Sequence, residues 1–163
     1  MMFILWAPWR FKYIENVNNK DECIFCTKPK EEPSVNNLVL YKSKHSFIIL
    51  NLFPYNTGHL MVAPYKHTSK VYDLTQEEWI DIINLLNLSV RIVEDVYKPQ
   101  AFNIGLNIGR VAGAGIEEHL HIHIVPRWAG DTNFMPVISN TKVIPESLED
   151  TYNKLKKRLE EII

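Results

Sequence analysis

Two periodicities divide the chain. Apolar residues run together or alternate with polar ones over Leu38 to Tyr41, Phe47 to Leu50, His59 to Ala63, Ala101 to Asn107 and His119 to Pro126. Repeats of two and short apolar blocks bounded by Pro, Gly and Asn are strand signals. After the third block the spacing changes: Trp79, Ile82, Ile83, Leu86, Val90, Val93 and Tyr97 predict one helix over Asp73 to Lys98, its apolar stripe against a sheet. Thr75 with Glu78 forms a capping box at its start, and Pro99 ends it. Pro145 opens a second helix, with Leu148, Tyr152, Leu155, Leu159 and Ile162 on one face and the run KLKKRLEE largely solvated. The turn Lys42 to His45 makes His45 a solvated residue, and Arg127 to Pro136 reads as loop. The order β-β-β-α-β-β-α, with short connections, predicts an α+β fold: one five-stranded antiparallel sheet, a long helix across it, and a C-terminal helix.

The last strand is unlike the others. In HLHIHIVP, Leu120, Ile122 and Ile124 form an ordinary core face, whereas His119, His121 and His123 share the opposite face. Three stacked imidazoles are poor core material and an odd plain surface. Near neutral pH histidine serves as nucleophile, acid, base or metal ligand. This strand is therefore expected to carry chemistry.

Composition narrows the class of partner. A chain of 163 residues with a net charge of −1 fits one domain and gives no global field for nucleic acid or an anionic membrane. The apolar start MMFILWAPW lacks a basic leader and is broken by Pro8 and Arg10, so neither a signal peptide nor a membrane span is expected, and the cytoplasm is the expected compartment. Trp6 to Tyr13, WAPWRFKY, reads as an arm whose Trp6 and Trp9 cover an apolar patch, or as a stacking and phosphate-binding surface.

Two further motifs carry candidate chemistry. Cys23 and Cys26 form a Cys-x-x-Cys pair outside any strand-to-helix unit of the thioredoxin kind, which favours half of a metal site over a redox pair. Gly109, Gly113 and Gly115 cluster just before the histidines, where backbone N–H groups could approach phosphate oxygens; a hairpin loop would look the same.

HLHIHIVPRWAGD resembles the signature of the histidine-triad (HIT) superfamily of nucleotide hydrolases and transferases. Its PR and GD are similar to the dinucleoside polyphosphate hydrolase branch, and WAPWR-x-x-Y matches a bacterial branch that includes diadenosine tetraphosphate phosphorylases. The resemblance implies one HIT domain over 1–163, with an arm at 1–37, a HIT core at 38–136 and a C-terminal extension and helix at 137–163. It implies a homodimer joined through the sheet edge and long helix, and nucleotidyl transfer at an α-phosphate.

In that reading His121 is the nucleophile, one ring nitrogen free and the other donating to an acceptor such as a backbone carbonyl. His123 meets the phosphate or the bridging oxygen. Asn51 binds the ribose hydroxyls, although a turn-capping Asn reads the same from spacing alone. Asn107 and the backbone of Gly113, Ala114 and Gly115 hold phosphate oxygens. Cys23, Cys26, His67 and His119 hold a structural zinc. The segment Ala114-Gly115-Ile116 departs from the family, which often has Ser, Thr or Gln there to serve the leaving group. Competing readings are a zinc-containing nucleic-acid-binding module, a nucleoside phosphoramidate hydrolase, and a metallohydrolase with all three histidines on one catalytic metal.

Overall fold

The computed structural model describes residues 23–139 and 141–163, so the Trp6–Tyr13 arm lies outside the described residues. In chain order the elements are helix α1 (Ile24–Thr27), strands β1 (Val39–Lys42), β2 (Ser46–Leu50) and β3 (Leu60–Pro64), helix α2 (Gln76–Tyr97), strands β4 (Ala101–Leu106) and β5 (Ile122–Arg127), and helices α3 (Met135–Ser139) and α4 (Leu148–Ile162). The five strands form one antiparallel sheet in the order β1-β2-β3-β5-β4. Every residue of β2 and β3 is buried, as their unbroken apolar runs require. Helix α2 lies across β2, β3 and β5, and α4 packs against α2 and β1.

The capping box at Thr75 is present in full, and Lys98 closes α2 in a left-handed conformation. The buried stripe of α2 differs from expectation. It is Ile82, Leu85, Ser89, Ile92 and Val93, whereas Ile83 stays 48% exposed beside a 53% exposed Ile80. Apolar residues cover more than one row of this helix, so spacing alone could not say which row meets the sheet. Ser89 is tolerated there because its hydroxyl donates to Leu85 O at 2.7 Å. On the same helix Asp81 accepts from the hydroxyls of Ser43 and Ser46 and from the His45 N–H. That clamp half-buries His45, which was expected to be solvated.

The last strand also starts later than its sequence pattern. It begins at Ile122, where pairing with Val62 of β3 starts, and runs to Arg127. Just before it, the Leu120 N–H donates to Thr68 O at 2.7 Å, outside the strand ladder. His119 therefore sits in a bend and His121 just ahead of the strand, rather than in the sheet. Further on, α3 occupies part of the expected loop and crosses the boundary expected at 136/137. The C-terminal helix begins after Ser147, whose hydroxyl accepts from the Asp150 N–H at 3.0 Å, so Pro145 precedes its cap.

Candidate active site and metal centre

The three histidines stay on one side of the chain and form a row. His121 and His123 lie 4.9 Å apart between ring centres, and Phe25 packs on His121 at 4.7 Å and on His119 at 5.2 Å. Each ring is told apart by what its second nitrogen meets.

His119, 1% exposed, points its Nδ1 at the cysteine turn and its Nε2 at Pro64 O, 2.8 Å away. Around that Nδ1 stand Cys23 Sγ at 3.4 Å, Cys26 Sγ at 3.5 Å and His67 Nδ1 at 3.3 Å, with Cys26 Sγ and His67 Nδ1 3.3 Å apart. All four ligand atoms fall within 4.8 Å of one another. Metal–nitrogen bonds of about 2.0–2.1 Å and metal–sulfur bonds of about 2.3 Å in a tetrahedron give edges of roughly 3.3–3.8 Å. The four edges among Cys26, His67 and His119 and from Cys23 to His119 lie in that range, so this donor set suits a closed four-coordinate ion. Burial, then the adjacent Cys23, raises the Cys26 thiol, and binding of a cation would have to displace its proton. The Nε2–H···O bond to Pro64 is the outer contact that orients a metal-bound imidazole.

His121 is 5% exposed, and its Nδ1 donates to His119 O at 2.8 Å. Among the described residues Nε2 has no hydrogen-bond partner. Burial lowers its pKa, so it is neutral and nucleophilic at pH 7.

His123 is held by a residue to which the sequence reading gave no role. His59 Nδ1 accepts from the Tyr55 N–H at 3.0 Å and faces Asn51 Nδ2 at 3.4 Å. A backbone N–H can only donate, so neutral His59 carries its proton on Nε2, which lies 3.0 Å from His123 Nδ1. His123 Nδ1 then accepts, and its own proton sits on Nε2. Burial, with His123 and His121 nearby, lowers His59 to about 3; burial and His121 lower His123 to about 4. Both rings are neutral near pH 7, and the pair presents a fixed N–H donor. The register supplies the contact, since Met61 of β3 is paired with His123 and His59 lies two residues before it. The signal available in sequence was Gly58-His59. Gly58 has φ +79°, and a Cβ there would come within 3.2 Å of the Tyr97 ring.

The HIT domain model matches residues 32–130 of the chain. The chain belongs to the HIT domain family.

Among the relatives of this HIT protein is the AP-4-A phosphorylase of Mycobacterium tuberculosis, 40% identical over 154 residues that span 90% of this chain and 79% of that protein. A hypothetical histidine triad nucleotide-binding protein from Sulfolobus tokodaii superposes with a TM-score of 0.68 at 25% identity, covering 86% of this chain and 93% of the other. A Zn-bound histidine triad family protein from Mycobacterium smegmatis gives a TM-score of 0.67 at 23% identity, over 86% and 95% of the two chains. That last likeness shows the fold alone.

The remaining expected residues of this HIT domain fall near the row but not all in the expected state. Asn51 Oδ1 accepts from the Phe53 N–H at 3.0 Å, so Asn51 caps its turn. In the glycine loop, Gly113 has φ +93°, and a Cβ there would lie 3.8 Å from Asn107 Nδ2, which brings the loop back beside that amide. The N–H groups of Gly113 and Ala114 donate to Arg110 O at 2.9 Å and Gly109 O at 3.3 Å. Among the described residues Gly115 N–H has no backbone acceptor, so it is the open donor of the three. Among the described residues the one group of three or more metal-ligating side chains is the Cys23, Cys26, His67 and His119 set, and the three triad histidines form no such group. A catalytic metal on the whole triad therefore has no support in the geometry.

Proposed function

We propose that this HIT protein cleaves dinucleoside polyphosphates by nucleotidyl transfer through His121. The observation that carries the reading is the pair of fixed tautomers: a neutral His121 with Nε2 free beside a His123 that carries its proton on Nε2. His121 Nε2 attacks the α-phosphorus and the bond to the bridging oxygen breaks, its electrons leaving with the departing polyphosphate anion while His123 Nε2–H donates a hydrogen bond to that oxygen. A water or phosphate oxygen then bonds to the phosphorus, the P–N bond breaks with its electrons returning to His121 Nε2, and the incoming group's proton leaves to solvent. The relation to an AP-4-A phosphorylase over most of both chains favours phosphate as acceptor. This assignment answers the Ala114-Gly115-Ile116 departure, because His123 can serve the leaving group without a side chain from that loop. Asn51 is assigned to the ribose hydroxyls, and Asn107 with the Gly113, Ala114 and Gly115 backbone to the phosphate, the first two N–H groups exchanging their loop bonds on binding.

Cys23, Cys26, His67 and His119 would hold a structural zinc ion, which when bound ties the α1 turn to the strand. His119 joins the catalytic set through its carbonyl, which orients His121. We place the protein in the cytoplasm as one domain over 1–163; no helix among the described residues is long and apolar enough to cross a membrane. A homodimer through the free edge of β4 and the outer face of α2 is supported by the exposed Ile80, Ile83 and Ile104.

The test is to incubate the protein with diadenosine tetraphosphate, with and without inorganic phosphate, and identify the products. Phosphorolysis gives ADP and ATP; hydrolysis gives AMP and ATP. No cleavage under either condition would remove this reading.

A further inference from the structure

The ground beyond His123 has not been used by the reaction as described. A cleft of about 520 Å³ opens beside His123 and continues along β4 and β5 to Arg127, with Asp131 and Lys142 at its far end. Gly105 is paired with His123 across the two strands, and a Cβ there would meet nothing within 4 Å, so the floor is open where the cleft begins. Arg127 is four residues along the same face of β5, roughly 13 Å away at the usual strand rise. That is the reach of an extended phosphate tail rather than of a single phosphate.

The far end is built rather than incidental. Arg127 donates Nε and Nη2 to Asp131 at 2.6 and 3.1 Å and Nη1 to Asn103 at 2.6 Å. Asp131 also accepts from Asn56 Nδ2 at 2.8 Å and the Trp128 N–H at 3.2 Å. Arg127, first among these contacts, holds the Asp131 carboxyl far below the usual carboxylate range. The carboxylate thus has its acceptors filled by the frame that fixes the guanidinium. A guanidinium has five N–H groups, and three are engaged, so one on each terminal nitrogen remains to meet a ligand. Lys142 donates to Asp131 O at 2.5 Å and keeps two further donors. Arg127 is paired with the Asp131 carboxylate, whereas Lys142 meets only the Asp131 backbone carbonyl among the described residues.

We propose that this cleft is a second oxyanion subsite, in which Arg127 and Lys142 hold phosphate groups beyond the reacting phosphorus. The assignment rests on the nucleotidyl-transfer reading above and names where the rest of the substrate lies. The phosphate chemistry has two sources: the tail of the departing nucleoside polyphosphate, or inorganic phosphate arriving as acceptor. In the second case the subsite gathers phosphate, which moves up the cleft once the tail has left. Its oxygen then bonds to the phosphorus on His121, the P–N bond breaks with its electrons returning to Nε2, and the phosphate proton leaves to solvent.

Inorganic tripolyphosphate is the probe, because its binding is read without turnover. Lys142 is the residue to change, since Arg127 also anchors Asp131. Calorimetry should show wild-type binding, with amide shifts centred on Gly105 and Val125. Lys142→Ala should weaken it about tenfold, the size of one lost charge-assisted contact, and Lys142→Arg should restore it. In kinetics, a KM increase confined to phosphate assigns the subsite to the acceptor. An increase for diadenosine tetraphosphate that is much smaller for an adenosine phosphoramidate assigns it to the leaving tail. Absent tripolyphosphate binding, or equal binding by wild type and Lys142→Ala, overturns the subsite. Tripolyphosphate binding at Gly105 and Val125 with no nucleotide cleaved would keep the subsite and remove the functional reading instead.

Discussion

The two ends of the histidine row use one residue type for opposite purposes. At the His119 end two sulfurs and two nitrogens crowd within 4.8 Å, with His119 buried, both cysteines half-buried and His67 exposed. At the His123 end the neighbours are His59, Tyr55 and His121, no sulfur or carboxylate among the described residues contacts the ring, and an open cleft lies alongside. His119 and His123 are only four residues apart. The difference lies in the partner of the second nitrogen. Pro64 O turns the His119 Nδ1 toward soft donors, whereas His59 fixes the His123 proton on the nitrogen that faces away from it. His121 sits between, joined to one end by the His119 carbonyl and the shared Phe25 ring and to the other by its ring contact with His123.

If that division holds, the largest loss of turnover comes from the middle. His121→Asn should lower kcat by at least about 10⁴-fold, because it removes the reaction path rather than a contact. It should leave metal content and melting unchanged. A trapped, acid-labile nucleotide adduct mapping to any residue other than His121 would break the assignment.

The closed end should respond in stability. Cys26→Ser should lose the metal, about one zinc per chain in the wild type, and lower the melting temperature by about 10 °C or more, since structural zinc binding is linked to folding. Full metal content with unchanged melting would erase the contrast between the two ends.

The open end should respond in kcat alone. His59→Ala should reduce kcat about 10²-fold, the size of one lost hydrogen-bond donor to the leaving oxygen, with little change in KM or metal. It frees the His123 tautomer without touching the substrate. A change in KM with kcat preserved would make His59 a binding residue instead.

The smallest effect is on acid stability. Folded His59 at about 3 and His123 at about 4 lie below the ordinary value of 6.5, so the unfolded chain binds protons that the folded one excludes. Stability is therefore complete above about pH 6.5 and falls as the pH drops toward about 4. Melting measured from pH 8 to 4 should be flat and then decline. In His59→Ala the decline should be shallower, and an unchanged slope would show that the pair is not the source.

What the sequence determined by itself is what depends on local repetition. The period of two put three imidazoles on one face, the capping box at Thr75 and Glu78 set the start of α2, and the apolar blocks at β2 and β3 announced buried strands. These follow from backbone geometry over a few residues. The Cys23-Cys26 spacing pointed to metal for the same reason, since both thiols come from one turn. What only the tertiary structure decided is the use made of each imidazole. Cys23 is 96 residues from His119, Pro64 is 55 from it, and His59 is 64 from His123. Those contacts exist because β3 pairs with β5 in one register and the α1 turn packs Phe25 onto the row. The same distance hid the Asp131 frame around Arg127, which needs Asn56 from the β2–β3 loop and Asn103 from β4. A ring nitrogen's role is set by its hydrogen-bond partner, and here those partners are supplied by segments remote in sequence, which no local pattern along the chain can announce.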